Sequence, residues 1–253
     1  MARAGYHEDA ARQLRHRMNT TRGREAVQST SYLLSSWAVL LFEVGLYSSC
    51  LRVAGFASTF CLRRQLSASL LELDILHALA LSALSQDVEA HRLLGDSVTN
   101  HESKAPFDVK LSAQLARVQI RQRMGAAFDE LEAVLAPALE TARKKKMRWH
   151  LVWGLGLRGE ALLAANRAEE AEVLLKEAVD VSTANADRTM FWQSAYRLGR
   201  AYEQMLRYER AVACYRMAAL TIHEIGMDIE EERYKESFLA SRACGRSSNG
   251  TND

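Results

Sequence analysis

Cysteine and histidine are the residues of this chain that could bind a metal ion or act as nucleophiles, and their spacing supports neither role. None of the four cysteines forms a CxxC pair, which argues against both a zinc site and a disulfide framework. The cysteines are Cys50, Cys61, Cys214 and Cys244. The seven histidines are scattered without an HExxH motif. We therefore expect no metal and no cofactor, and the unpaired thiols favour a cytoplasmic location.

Motifs for phosphate binding and for acyl transfer are also absent from the sequence. No GxxxxGK[ST] loop could hold a nucleotide phosphate, and the serines between Ser29 and Ser69 lie in no GxSxG elbow. Gly154-Leu155-Gly156 is a lone GxG within a helical pattern, which favours close helix packing over phosphate binding. We expect a protein that is not an enzyme. A catalytic pocket in a groove is the less favoured alternative.

The charges are nearly balanced, with 33 basic and 31 acidic residues and a net charge of +2. A nucleic-acid-binding protein normally concentrates a basic excess on one face, so we expect no direct nucleic-acid partner. The densest basic run is Lys144 to Lys146, followed by Arg148. We interpret it as a solvated helix end, where cations complement the helix dipole. A phosphate site or a site for an acidic partner is the alternative.

One apolar stretch raises the question of a membrane span. Between Ala26 and Leu51 the only charged residue is Glu43, and a spanning helix needs about 20 apolar residues. Burying Glu43 in a bilayer would cost about 2.5–3.5 kcal/mol, so two buried helices meeting near Gly45 fit better. The N-terminus contains Glu8 and Asp9 and lacks the apolar core of a secretory signal. We expect no membrane partner, although hydropathy alone leaves a span open.

The elements that position these residues are predicted to be helices. Thirteen Gly and two Pro are few for a chain of 253 residues, and sheets need many tight turns. Between Phe191 and Ile225, Leu198-Gly199 and Tyr202 share one helical face, and Ala211 and Tyr215 share the face of a second helix. The segment between them is short. The pattern predicts a helical hairpin.

The same hairpin pattern recurs about every forty residues. One slot of the second helix holds a small or compact apolar residue throughout, which lets the two helices cross closely. This slot falls at Ala10, Cys50, near Ala90, and at Leu131, Ala171 and Ala211. A single hairpin cannot bury its own apolar face, so the repetition predicts a stacked array.

These residues resemble the tetratricopeptide repeat (TPR), whose signature places Trp, Leu-Gly and Tyr on the first helix and Ala and an aromatic residue on the second. The last hairpin has Leu198-Gly199, Tyr202, Ala211 and Tyr215, with Ala195 in place of Trp. The period of forty exceeds the usual 34, and the closing Pro is missing. The resemblance implies an all-α, right-handed superhelix of antiparallel helix hairpins. The chain is also similar to the C-terminal helical arms of bacterial signal-transduction NTPases (MalT-like) and of cyclase- or kinase-linked regulators.

We divide the chain into four parts. Residues 1–28 form an N-terminal helix, which is either the second half of a truncated repeat or a cap. Residues 29–225 form about five hairpins, 226–241 a capping helix, and 242–253 a disordered tail. Pro137 should kink or end its helix, and Pro106 should lie in a loop between hairpins.

In the TPR family the first helices line a concave groove, so the resemblance implies a binding site there. The groove positions carried over to this chain are Arg117, Ile120, Trp153, Glu160, Gln193, Arg197 and Arg200. The arginines would favour an acidic or carboxylate-bearing protein or peptide. The alternative is that Trp153 is core and the arginines are solvated.

We therefore predict a protein-interaction scaffold or regulatory arm. The alternative is a peptide- or small-ligand-responsive sensor module of a larger signal-transduction or transcription regulator. Association of copies through an exposed array end is a further expectation.

Overall fold

A computed structural model describes residues 24–64 and 66–243, which form α-helices and no strand. The eleven helices of this part of the chain are α1 Arg24–Glu43, α2 Tyr47–Arg63, α3 Ser67–Ala83, α4 Asp87–His101, α5 Phe107–Arg123, α6 Phe128–Lys144, α7 Arg148–Ala164, α8 Ala168–Ala184, α9 Arg188–Gln204, α10 Tyr208–Met227 and α11 Glu232–Ala243. The all-α prediction is confirmed. The slot residue Ala10 and nearly all of the predicted helix 1–28 lie outside the described residues.

Helices α1 to α10 form five consecutive hairpins, and each helix packs against the next along the chain. The second-helix slot that was predicted to hold small or compact residues lies where neighbouring helices of the array pack together. Its described members are all buried: Cys50, Ala90, Leu131, Ala171 and Ala211. Two further close approaches involve glycine, where a Cβ on Gly159 or Gly199 would lie 2.6 Å from the side chain of Leu175 or Tyr215. Four of these five slots hold a small residue, as the periodicity predicted, and Leu131 is the exception.

Eight of the ten connections between the described helices share one backbone geometry. In these eight, an N–H beyond the helix end bonds a carbonyl five residues back, as in Leu46 N to Leu41 O and Arg207 N to Tyr202 O, both 2.8 Å. This is the Schellman motif, which requires a residue with positive φ. Gly45 and Gly125 have φ of 79° and 81°. The other positive-φ residues are Ser85, Lys146, Asn166, Ala186 and Leu206. Because most of these turns lack glycine, they leave little trace in the sequence.

One connection differs in length from its neighbours. Four residues, 124–127, separate α5 from α6, whereas three separate the helices of the other hairpins. As a result, α7 begins 41 residues after α5, while α9 begins 40 residues after α7. This single extra residue shifts the register of the third hairpin relative to a strict forty-residue step.

Pro137 lies inside α6, which continues through it from Phe128 to Lys144. The prediction that Pro137 ends its helix is therefore wrong. The proline is exposed and provides no N–H for the carbonyl of Ala133. Pro106 precedes α5 as its N-cap residue, after a short 3₁₀ turn at Glu102–Lys104.

Replacing Pro137 with Ala should raise the free energy of unfolding by about 1–3 kcal/mol, because the substitution restores a helical hydrogen bond and a strong helix former. Chemical denaturation followed by circular dichroism measures the change. Pro137→Gly restores the N–H alone and should give a smaller gain. An unchanged or lower stability of Pro137→Ala would show that α6 gains from its proline.

The first helices of the hairpins form the more closely spaced layer of the array. Helix α1 contacts α3, α3 contacts α5, α5 contacts α7, and α7 contacts α9. No pair of second helices has comparable contact within the described residues. The layer with the closer spacing lies on the inside of the curve, so α3, α5, α7 and α9 provide its inner face. None of the described helices is long and apolar enough to span a membrane.

Candidate binding groove

Helices α7 and α9 bring four of the predicted groove residues to neighbouring positions on the inner face. Glu160 of α7 lies between two arginines of α9, with Oε1 3.2 Å from Nε of Arg197 and 3.8 Å from Nη1 of Arg200. Gln193, one turn before Arg197, is half-buried. The Arg197 contact has ion-pair distance without the geometry of a hydrogen bond. The two arginines thus share one carboxylate.

Arg197 owes its position to a glycine on the facing helix. A Cβ on Gly156 would lie 3.0 Å from Nη1 of Arg197, so the guanidinium rests on the backbone of α7. Gly154 makes similar room for Leu139, at 2.9 Å. The GxG of the sequence therefore serves close packing. With its side chain only 18% exposed, Arg197 is a structural residue of the inner face more than a free surface cation.

Trp153 belongs to the contact between α5 and α7. Only 8% of it is exposed, and its Nε1 donates to Oε1 of Gln119 at 2.9 Å. Its ring lies 5.0 Å from that of Trp149. A buried indole whose N–H already has an acceptor offers little to a ligand, so the interpretation of Trp153 as core describes its surroundings better.

The two residues predicted on α5 do not occupy the groove register. Ile120 is completely buried in the largest core cluster, and its assignment as a groove contact is wrong. Arg117 is exposed. However, α7 begins 41 residues after α5, so the α5 residue equivalent to Glu160 of α7 and Arg200 of α9 is Gln119. The position missed in the sequence is therefore Gln119. The longer connection at Gly125 was the available signal.

A second polar contact joins α5 and α7, beside the bond between Trp153 and Gln119. His150 Nε2 lies 2.9 Å from Ser112 Oγ and 3.1 Å from the carbonyl oxygen of Asp108. Ser112 is the α5 counterpart of Trp153. Neighbouring first helices are thus joined by side-chain hydrogen bonds and ion pairs at successive turns, and these contacts fix the spacing of the inner face.

A shallow recess of about 300 Å³ lies beside Arg200. Its lining consists of Leu163, Ala164, Arg200, Glu203 and Gln204. Gln204 is held by donating to Asn166 Oδ1 at 2.9 Å. Glu203 accepts from the Tyr215 hydroxyl at 2.6 Å, and burial together with this bond raises the pKa of Tyr215. Arg200 lines the recess, is 35% exposed, and makes no hydrogen bond within the described residues beyond its 3.8 Å ion pair with Glu160.

A polar cluster on α3 was not predicted. Asp74 accepts from Ser58 Oγ of α2 at 3.0 Å and from Ser97 Oγ of α4 at 2.7 Å. Burial lowers the pKa of the nearby His77, and the charges of Asp74 and Glu89 oppose that shift. Asp74 stands where α9 has Ala195, the position of the TPR tryptophan. The cluster joins α2, α3 and α4 through these two hydrogen bonds.

The cysteines of the described chain are packing residues. Cys50, Cys61 and Cys214 are free and buried. Burial raises the pKa of Cys50 to about 12 and raises that of the other two thiols. A protonated thiol is a poor nucleophile and a poor metal ligand. Within the described residues no group of three or more His, Cys, Asp or Glu could hold a metal ion.

Comparison with solved structures places the chain among TPR-like repeat folds. Nearly identical TPR-like repeats of a kinesin light chain type from Podosopora anserina superpose with a TM-score of 0.52 at 18% identity, covering 76% of this chain and 95% of that one. BtubC (BKLC) from P. vanneervenii gives a TM-score of 0.57 at 16% identity, covering 98% of this chain and 91% of that one. The sequence matches no protein-family model and no curated protein. At these identities the likeness establishes the fold alone.

Proposed function

We propose that the chain is a protein-interaction scaffold that binds an extended segment of a partner protein on its inner face, with Arg200 as the anchor. The observation that carries the proposal is that Arg200 lines the recess, is 35% exposed, and has only a long, 3.8 Å ion pair with Glu160. A guanidinium forms its strongest hydrogen bonds with carboxylates, which it can bind in a bidentate manner. The partner segment should therefore present an acidic side chain or a terminal carboxylate.

Two further observations support this choice. Glu160 is shared with Arg197 and lies 3.8 Å from Arg200, so it compensates Arg200 only partly. Glu203 already accepts from Tyr215, and it confines a bound carboxylate to the Arg200 side of the recess. The recess is shallow, and its lining combines two apolar residues with three polar or charged ones, which suits a protein segment. A place within a MalT-like or cyclase- or kinase-linked regulator, sensing a peptide or small ligand, is the alternative proposal and calls for an enclosed apolar pocket.

The proposal includes no catalytic step and no cofactor. We place the scaffold in the cytoplasm because its buried free thiols suit a reducing compartment. Association of copies through an array end belongs to the proposal only as a secondary mode of binding.

Panning a random peptide library on the protein should enrich sequences that contain Asp or Glu. Arg200→Glu should then weaken binding of the enriched peptides about 10–100-fold, since a hydrogen bond to a charged group contributes about 1.5–3 kcal/mol. Fluorescence anisotropy with labelled peptides measures the affinities.

The matched control is Arg216→Glu, a charge reversal at an exposed arginine on α10. It changes the net charge equally and should leave affinity unaltered. Equal losses in both variants would mean that only overall charge matters. Enrichment of peptides without carboxylates, with binding indifferent to Arg200, would contradict the proposed anchor.

A further inference from the structure

The C-terminal helix of the described chain contacts its first helix. Leu40 of α1 and Val44, just after that helix, share one buried cluster with Ile225 of α10, with Ile229 in the connection after α10, and with two aromatic residues of α11. The aromatic residues are Tyr234 and Phe238, which are 7% and 2% exposed. Residues almost two hundred positions apart in the sequence are thus packed together, so the C-terminal end of the hairpin array contacts its first helix.

The face of α1 used for this contact has a defined role elsewhere in the array. Leu40 corresponds, one forty-residue step earlier, to Ala80 of α3. Ala80 is buried with Ala38, Cys50 and Ala54 of the preceding hairpin. This face of a first helix therefore receives the hairpin before it. In α1, the end of α10 and helix α11 fill that place.

Polar contacts strengthen the same junction. Arg242 of α11 donates from Nη2 to the carbonyl oxygen of Glu43, the last residue of α1, at 2.8 Å. A cation at a helix C-terminus is favoured by the helix dipole and satisfies a carbonyl that lacks an intrahelical partner. The Arg242 guanidinium also lies 4.9 Å from the ring centre of Phe238 and 5.5 Å from that of Trp192 on α9.

Gly45 completes the junction by being small. A Cβ at this position would collide with the Cβ and Oγ of Ser241. Its φ of 79° independently favours glycine. Gly125 has the same kind of backbone, with φ of 81°, and nothing within 4 Å of the place where its Cβ would be.

We propose that α11 is a latch, which holds the array closed by occupying the hairpin-stacking face of α1 and which can be released without unfolding the hairpins. Only residues 228–231 connect α11 to α10. Because each hairpin is built from contacts with its neighbours along the chain, the hairpins do not need the latch. Release would free the stacking face around Leu40 and Val44 and separate the two ends of the array.

The test compares Gly45→Ala with Gly125→Ala in the full chain. Both substitutions place alanine at a positive φ and share that backbone penalty, but only Gly45→Ala disturbs the contact with Ser241. Spin labels at Ser48→Cys and Glu236→Cys, in a Cys244→Ser chain, report the distance between α2 and α11. The other three cysteines are buried, and both label positions are exposed.

The unsubstituted chain and Gly125→Ala should give one narrow, short distance distribution. Gly45→Ala should shift population to longer and broader distances while circular dichroism keeps its helical signal. A long, broad distribution in the unsubstituted chain, or identical distributions in the two variants, would overturn the proposal.

Phe238→Asp provides a second test in case Gly45→Ala does not fold. It should also lengthen the distance, and in its background Gly45→Ala and Gly125→Ala should lower the melting temperature equally. Loss of the whole helical signal in Phe238→Asp would show that α11 is an inseparable part of the core, and the latch would be rejected.

Discussion

Replacing Ile120 with Ala is expected to lower the free energy of unfolding by about 2–5 kcal/mol, the range for truncating a buried Ile. Ile120 has no exposed surface and lies in the largest core cluster, which joins α3 to α9. The surrounding helices are held by their own hairpins and can collapse only partly into the space left behind. Denaturant unfolding followed by circular dichroism measures the loss.

Arg117→Ala is the matched control, one helical turn away on the same helix. Arg117 is exposed, so the substitution should change stability by less than about 0.5 kcal/mol. If Ile120→Ala were as mild as Arg117→Ala, the register of α5 would be that of a strict forty-residue step. The forty-one-residue step would then be incorrect.

Gly199→Ala is expected to destabilise the last hairpin by about 1–3 kcal/mol, as overpacking does. The added methyl group would lie 2.6 Å from Cε1 and 2.7 Å from Cδ1 of Tyr215. The ring cannot easily retreat, because its hydroxyl donates to Glu203 at 2.6 Å. Thermal or denaturant unfolding measures the effect, and Gly159→Ala against Leu175 should behave similarly.

The control for helical propensity is Gly95→Ala on α4, where nothing lies within 4 Å of the added Cβ. There the substitution should stabilise by about 0.5–1 kcal/mol, because alanine loses less backbone entropy than glycine. A double-mutant cycle with Tyr215→Ala then isolates the contact. In the Tyr215→Ala background, Gly199→Ala should no longer destabilise. Destabilisation that persists there would place its origin outside the Tyr215 contact.

The hairpins were predictable because their signal is local and repeated. Ala171 and Ala211 occupy equivalent slots where two helices approach closely. The need for a small residue at this slot recurs in successive hairpins, so the pattern is repeated in the sequence. The register of α5 was not predictable from that period, since one extra residue before α6 leaves hydrophobicity almost unchanged. That residue nevertheless moves the groove position from Ile120 to Gln119.

The groove was predictable only in part. Glu160, Arg197 and Arg200 are neighbours in the structure, and their role as groove contacts stays a prediction. Spacing alone cannot say which polar groups pair with one another. Trp153 illustrates this, because its indole N–H donates to Gln119, which belongs to another hairpin. The Asp74 cluster and the contact of Arg242 with Glu43 are less predictable still. Each depends on where distant helices lie, and no periodicity records it.

The contact between α11 and α1 has a consequence for how the chain folds. Hairpins form from residues close in sequence, which is fast, whereas joining Glu43 to Arg242 closes a loop spanning 199 positions. This step should come last, after all five hairpins are in place. In an open array the terminal helices would fray independently. Here docking of α11 should slow amide hydrogen exchange both in α11 and at the end of α1, although α1 keeps its own hairpin contacts when α11 is released.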